Sequence, residues 1–134
     1  MFLLDTNVVS ELRKARPHGA VLAWMKTVPE NSLHLSAATF GELQAGAEKT
    51  RRTDPAKAAE IEQWIDMLSR LHRVLPIDAE IARERARLLV GRSMVLQEDA
   101  AIAATARIHG LTVVTRNVKD FKLLDVPYLN PFGG

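Results

Sequence analysis

The chain has 134 residues, which is enough for one domain with its own hydrophobic core and too few for two. Its 47% of hydrophobic and 25% of charged residues argue against a disordered chain, and the lack of cysteine fits a reducing compartment. The net charge is only +2, and no apolar run has the length of a membrane span or the form of a secretory signal. We therefore expect a soluble, cytoplasmic protein with one domain over residues 1–134 and no membrane partner.

Four short apolar runs, each bounded by polar or turn-forming residues, predict β-strands. They lie at residues 2–4, 33–35, 74–77 and 111–115, and a further edge strand could lie within 127–134. The run at 111–115 is the strongest of them because it is rich in β-branched residues. Pro76 indicates an edge strand or a strand end, because proline cannot donate a hydrogen bond to a neighbouring strand.

Between these strands, apolar residues recur at helical spacing. A short helix follows the first strand, and the longer predicted helices cover residues 20–28, 37–47, 55–71, 79–89 and 97–109. The predicted N-caps are Asn7 or Ser10, Ser36, Asp54 and Asp78, and Gly110 is the predicted C-cap. Strands that alternate with helices predict an α/β fold with a mostly parallel sheet, whose ligands bind beyond the carboxyl ends of the strands.

Three acidic residues fall where such a sheet would bring them together. Asp5 directly follows the first strand, Glu42 lies in the first two turns of a helix, and Asp99 opens a helix that is apolar nearly all round. Ordinary roles remain open, because Asp5 would serve equally well as a helix cap and Glu42 alone resembles an exposed helix residue. A capping role is less favoured for Asp99, because Gln97 or Glu98 could cap that helix and a buried carboxylate is costly unless it is paired or binds a metal.

Asn117 and Asp120 follow the strand at 111–115, either as part of the same site or as residues of a turn. Converging carboxylates repel one another unless a cation lies among them, and oxygen ligands alone suit Mg²⁺ or Mn²⁺. The histidines show no metal-ligand spacing, so zinc is not expected. The chain also offers no Ser, His or Cys arrangement that suggests a covalent intermediate.

Four segments of the chain resemble the PIN domain family, and most closely its bacterial toxins of the VapC and FitB type. They are Leu4-Asp5-Thr6-Asn7-Val8, Phe40-Gly41-Glu42-Leu43, Glu98-Asp99-Ala100-Ala101-Ile102-Ala103-Ala104-Thr105-Ala106 and Thr115-Arg116-Asn117-Val118-Lys119-Asp120-Phe121. The resemblance covers essentially the whole chain. It implies an α/β/α sandwich with a central parallel sheet and an Mg²⁺- or Mn²⁺-dependent endoribonuclease that leaves 5′-phosphate and 3′-hydroxyl ends. It also implies a homodimer and a partner antitoxin whose C-terminal segment lies across the groove.

The resemblance assigns roles to individual residues of this sequence. Asp5, Glu42 and Asp99 match the family's core acids, and the fourth position is either Asp120, which we prefer, or Asn117. Thr6 and Thr115 match small polar positions that support the acids or a bound water, and Arg116 and Lys119 are our candidates for contacts with the RNA. The large apolar residues could in part form a groove for an antitoxin helix; they are Trp24, Met25, Phe40, Trp64 and Met67, of which Trp64 is expected in the core.

Two other functions remain open on the sequence. The chain could be a nucleic-acid- or protein-binding module whose acidic pocket is vestigial, which RNA binding without metal-dependent cleavage would indicate. It could also be a phosphoryl-accepting receiver-like domain, which uses aspartates at strand ends and Mg²⁺. That alternative is disfavoured because His34-Leu35-Ser36 supplies no acceptor aspartate after the second strand.

Overall fold

The computed structural model describes residues 1–133, and Gly134, the last residue of the predicted domain, lies outside this range. The strands are β1 (Phe2–Leu4), β2 (Leu33–Ser36), β3 (Arg73–Leu75), β4 (Thr112–Val114) and β5 (Tyr128–Leu129). The α-helices are α1 (Thr6–Arg13), α2 (Gly19–Met25), α3 (Ala37–Arg51), α4 (Pro55–Leu71), α5 (Ala79–Leu89), α6 (Gln97–His109) and α7 (Val118–Leu123).

The five strands form one sheet in the order β3-β2-β1-β4-β5, and every neighbouring pair is parallel. From β1, the next two strands along the chain, β2 and β3, are added on one side, and β4 and β5 then lie on the other side of β1. The strand order therefore reverses between β1 and β4, and ligands of open α/β sheets bind in the crevice at such a reversal.

Two hydrophobic cores cover the two faces of the sheet. Leu3 and Leu4 are adjacent in β1 and point to opposite faces, as successive residues of a strand do. Leu3 packs in the core that contains Ile102 of α6 and Phe121 of α7, whereas Leu4 packs in the core that contains Val9 of α1. Helices α5–α7 thus lie on one face and α1–α4 on the other, which confirms the predicted α/β/α sandwich with a parallel sheet.

Most predicted helix ends are confirmed by their hydrogen bonds. The side chains of Ser36, Asp54 and Asp78 accept backbone N–H groups at the starts of α3, α4 and α5. Gly110 ends α6 in the left-handed conformation, at φ 66°. The edge strand β3 ends at Leu75, directly before Pro76, as the missing N–H donor of proline requires.

Several element boundaries predicted from the sequence were wrong. The cap of α1 is Asp5, the other residue weighed as a cap, and not Asn7 or Ser10, because the helix begins immediately after β1. Helix α2 ends at Met25 instead of continuing to residue 28, and α3 extends to Arg51, beyond the predicted end at residue 47. Helix α7 was not predicted at all. In residues 1–133, no helix is both long enough and apolar enough to cross a bilayer.

Candidate active site

Side chains that follow β1 and β4 meet where the strand order reverses. Asp5 comes directly after β1, Thr115 comes directly after β4, and the Asp5 N–H donates to the carbonyl of Val114 at 2.9 Å. The register of two parallel strands therefore fixes the backbone on both sides of the crevice. Helices α3 and α6 bring Glu42 and Asp99 to the same edge of the sheet.

Asp5 is almost completely buried, at 5% exposure. Its Oδ1 accepts the backbone N–H of Thr6 at 2.8 Å, and its Oδ2 accepts the hydroxyl of Thr115 at 2.8 Å and the amide of Asn7 at 3.2 Å. Burial raises the pKa of Asp5, although the hydrogen bonds from Thr115 and Thr6 act in the opposite direction. Asp5 therefore caps α1 and also places a carboxylate at the crevice, so the two roles weighed from the sequence are not exclusive.

Glu42 is half-buried, and a hydrogen bond from α1 fixes its side chain. The Thr6 hydroxyl donates to Glu42 Oε1 at 3.0 Å and also lies 3.0 Å from the hydroxyl of Thr39. The pKa of Glu42 is raised first by burial, and the negative charges of Glu98 and Asp5 add to the effect. This environment differs from that of an ordinary exposed helix glutamate.

Asp99 lies in the first turn of α6 but does not cap it, because the start of α6 has no side-chain cap. The amide nitrogen of Asn117 donates to Asp99 Oδ2 at 2.8 Å and to Asp120 Oδ2 at 2.7 Å, so it bridges the two acids. Burial and the negative charge of Asp5 are the main causes that raise the pKa of Asp99 to about 7, and Asp120 and Glu42 contribute as well. The four predicted acids therefore act on one another electrostatically.

The donor set of this cluster fits a hard divalent cation. Carboxylate and amide oxygens are the ligands that Mg²⁺ and Mn²⁺ prefer, and a cation among these acids would favour their ionised forms, which burial and the neighbouring negative charges disfavour. In the part of the chain that the structure describes, no three His, Asp or Glu side chains form a ready-made metal-binding group.

The structure brings together all the residues proposed from the sequence as metal ligands or their supports. Thr6, Thr115 and Asn117 each form a hydrogen bond to one of the acids. Arg116 and Lys119 are exposed, just beyond the carboxyl end of β4.

Three participants were missed from the sequence. Asn7 donates to Asp5, Thr39 contacts the Thr6 hydroxyl, and the charge of Glu98 reaches Glu42. Glu98 directly precedes Asp99 in one of the segments that resemble the family, but its only predicted role was that of a helix cap.

A groove of about 300 Å³ begins at Glu42 and runs between α1, α3 and α4. Its lining combines polar and apolar side chains: Thr6, Ser10, Arg13, Glu42, Leu43, Gly46, Thr50, Ile61 and Trp64. Trp64, which was expected in the core, is half-buried: it packs against the core on the α1–α4 face and also lines this groove. Trp24 packs edge-on against Phe2, with ring centroids 5.2 Å apart, and Met67 is 40% exposed.

The sequence and the fold both match known proteins. The model of the PIN domain family matches residues 2–126. The VapC ribonuclease Y4jK of Sinorhizobium fredii is 37% identical over 98% of this chain and 98% of its own length. Among solved structures, FitAcB from Neisseria gonorrhoeae superposes with a TM-score of 0.83 at 33% identity, over the full length of both chains. A toxin–antitoxin complex from Klebsiella pneumoniae contains a chain that superposes with a TM-score of 0.74 at 27% identity, over 98% of each chain.

Proposed function

Because the chain belongs to the PIN domain family, we propose that it is a Mg²⁺- or Mn²⁺-dependent endoribonuclease and the toxin of a type II toxin–antitoxin pair. The family resemblance deduced from the sequence is confirmed by the match. The observation that carries the proposed activity is the gathering of four acids at the strand-order reversal: Thr115 donates to Asp5, Thr6 donates to Glu42, and Asn117 donates to both Asp99 and Asp120. A relative named as a ribonuclease, at 37% identity, supports RNA as the substrate.

In the proposed site, Asp5, Glu42 and Asp99 hold the metal ion, and Asp120 or Asn117 supplies the fourth position. When bound, Mg²⁺ or Mn²⁺ supplies an activated water as the attacking group and offsets the charge of the phosphate. The carboxylates of this chain fix where that cation lies. The choice between Asp120 and Asn117 stays open, since the Asn117 amide contacts both Asp99 and Asp120.

Other residues orient the acids and position the RNA. Thr115 and Thr6 donate to Asp5 and Glu42, so the two carboxylates keep a fixed direction before substrate arrives. Arg116 and Lys119, which are exposed beyond β4, are our candidates for contacts with the phosphates of the RNA. Because no side chain serves as nucleophile, the 2′-hydroxyl of RNA is not needed as one, and selectivity must come from the shape of the groove and its contacts.

The test of the nuclease is cleavage of RNA by the wild type and by Asp99→Asn, each with Mg²⁺ and with a chelator. We expect the wild type to cut only with the metal. We expect the cleavage activity of Asp99→Asn to fall by more than roughly 10- to 100-fold, which is the loss seen when only a hydrogen-bonding partner of a metal ligand is removed. Asp66→Asn is the matched control, because Asp66 is exposed on α4 and should keep full activity. Full activity of Asp99→Asn would refute the assignment of this acid.

The toxin role is supported by the chain from the toxin–antitoxin complex, which shares 27% identity and 98% coverage with this one. The groove beside Glu42 offers an antitoxin segment a surface that adjoins the acids, so an occupant could also block the site. Induction of the wild type in a bacterial host should arrest growth, whereas Asp99→Asn should not. Equal growth with both chains, at equal expression, would contradict a toxin that acts by RNA cleavage.

A homodimer and a cytoplasmic location remain predictions that belong to this proposal. The competing function is a binding module with a vestigial acidic pocket. Calorimetric titration with Mg²⁺, paired with the cleavage assay, separates the two. Metal binding with cleavage supports the nuclease, whereas RNA binding without metal-dependent cleavage supports the module.

A further inference from the structure

The Arg116 guanidinium contacts an aromatic side chain from the segment that follows β5. Its central carbon lies 3.8 Å from the centroid of the Phe132 ring, which is a close cation–π contact. Phe132 lies beyond β5, in the segment that follows the last strand of the sheet. Nothing in the sequence near Arg116 indicates that residue 132 would reach it.

Both ends of this contact are anchored. The backbone N–H of Arg116 donates to Asn7 Oδ1 at 3.2 Å, and the same Asn7 side chain donates to Asp5, so the Arg116 backbone is tied to the acids. On the other side, the Phe132 N–H donates to Asn130 Oδ1 at 2.9 Å, and the Phe132 ring packs edge-on against His18 with centroids 5.4 Å apart. The ring is therefore a fixed support.

The contact leaves the guanidinium free to bind an anion. An aromatic ring engages the face of a guanidinium, whereas the N–H donors point outward in its plane. The nearby acid Glu11 attracts the Arg116 charge but forms no ion pair with it, because its two oxygens accept hydrogen bonds from the Lys14 ammonium and the backbone N–H of His18, both at 2.9 Å. Among residues 1–133, Arg116 forms no ion pair with a carboxylate.

From these contacts we infer that Phe132 is a positioning residue, which holds the Arg116 side chain so that its outer edge binds a backbone phosphate of the RNA substrate. An arginine loses rotamer freedom when it binds a phosphate, and an aromatic support that already restricts it reduces that loss. Arg116 directly follows Thr115, which donates to Asp5, so we expect the bound phosphate to lie near the one that is cut. This inference rests on the proposed function.

The test compares Phe132→Leu and Phe132→Tyr with the wild type. Leucine keeps apolar packing but removes the ring, and tyrosine keeps the ring. With a labelled mixed-sequence RNA as probe, we expect Phe132→Leu to raise both the Kd in chelator and the KM of cleavage by about two- to fivefold, the range of an exposed cation–π contact. The kcat should not change, and Phe132→Tyr should restore the wild-type values. Tyr128→Leu is the control, because this residue of β5 is 40% exposed and lies outside the contact.

A double-mutant cycle with Arg116→Ala separates positioning from general structural damage. If Phe132 acts through Arg116, Phe132→Leu should have no further effect on the Kd or KM in the Arg116→Ala background. An unchanged KM in Phe132→Leu, or an equal effect of Phe132→Leu in both backgrounds, would overturn the inference and leave the nuclease intact. A wild type that neither binds nor cuts the RNA would overturn the proposed function, and the inference with it.

Discussion

The hydroxyl of Thr115 links three parts of the candidate active site. It donates to Asp5 Oδ2 at 2.8 Å, accepts the backbone N–H of Asn117 at 2.9 Å and lies 3.3 Å from the Asn7 amide. Thr115 has no solvent exposure, so water cannot replace a lost partner. The Thr115 oxygen therefore contributes both to the direction of the Asp5 carboxylate and to the start of α7.

Replacement of this oxygen should affect both stability and activity. Thr115→Val keeps the shape of the side chain but leaves the Asn117 N–H without its acceptor, and we expect a loss of about 1–3 kcal/mol in the free energy of unfolding. RNA cleavage should fall roughly 10- to 100-fold, as for other supports of a metal ligand. Urea denaturation and the cleavage assay measure the two effects.

Thr115→Ser provides the matched control for the valine variant. Serine retains the hydroxyl and loses only a methyl group, so most of the activity should remain. If valine and serine reduced cleavage equally, packing of the methyl group, and not the hydrogen bonds, would govern this position.

At the scale of single elements, two glycines should respond to the same substitution in opposite directions. Neither Gly46 nor Gly110 has an atom within 4 Å of an added Cβ, so steric room does not distinguish them. Gly46 lies inside α3, where Ala should stabilise the protein by about 0.5–1 kcal/mol because glycine loses more backbone freedom on folding. Gly110 ends α6 at φ 66°, where Ala should destabilise it by about 1 kcal/mol or more.

Thermal or urea unfolding of Gly46→Ala and Gly110→Ala, measured side by side, tests the predicted gain in stability of the first variant and the predicted loss in the second. Stabilisation by Gly110→Ala would mean that α6 ends differently from the observed left-handed cap. Destabilisation by Gly46→Ala would mean that the middle of α3 is under a constraint other than helix propensity.

The helices and strands that could be predicted are those with long, regular patterns. Helix α6 was placed correctly because its apolar run is followed by a glycine, and α4 because its apolar stripe is preceded by Asp54 and Pro55. Helix α7 was missed because it has only six residues, and Asn117 and Asp120 were read as possible turn residues. Its only buried residue is Phe121, so tertiary packing and not local pattern decides that it is helical.

The acids of the site were predictable for a different reason. Parallel strands end at one edge, and this rule alone brings Asp5 together with the residues after β4. The individual side-chain contacts in and around the cluster could not be predicted in the same way. The Asn117 bridge between two acids, the charge of Glu98 near Glu42 and the contact of Phe132 with Arg116 all join residues whose spacing in sequence carries no pattern.

At the scale of the whole molecule, the site opposes folding in the absence of a cation. The pKa values of Asp5, Glu42 and Asp99 are all raised, chiefly by burial, so the folded chain disfavours the ionised form of each. A group of this kind binds protons more tightly in the folded chain than in the unfolded one. Its favourable contribution is present at low pH and is lost as the pH rises through the folded-state pKa.

The clearest consequence concerns Asp99, whose pKa moves from 3.8 to about 7. In chelator, the wild type should lose stability relative to Asp99→Asn as the pH is raised from 4 to 8, and at pH 8 the variant should be the more stable by about 1 kcal/mol, since solvent screens a half-buried charge. Asparagine keeps an oxygen that can accept from Asn117. Burial lowers the pKa of His72, so this residue destabilises the fold as the pH falls, which is the opposite trend. Both chains contain His72, so its effect cancels in the difference between their free energies of unfolding.

Addition of Mg²⁺ at pH 8 should make the wild type more stable than Asp99→Asn. A ligand that binds the folded chain stabilises it in proportion to the logarithm of its concentration over the Kd, and the variant has lost one carboxylate for the metal. The melting temperature of the wild type should therefore rise more steeply with Mg²⁺ than that of Asp99→Asn, while Asp66→Asn should follow the wild type throughout. If the wild type and Asp99→Asn kept the same difference with and without Mg²⁺, Asp99 would not bind the metal, and its raised pKa would reflect burial and neighbouring acids alone.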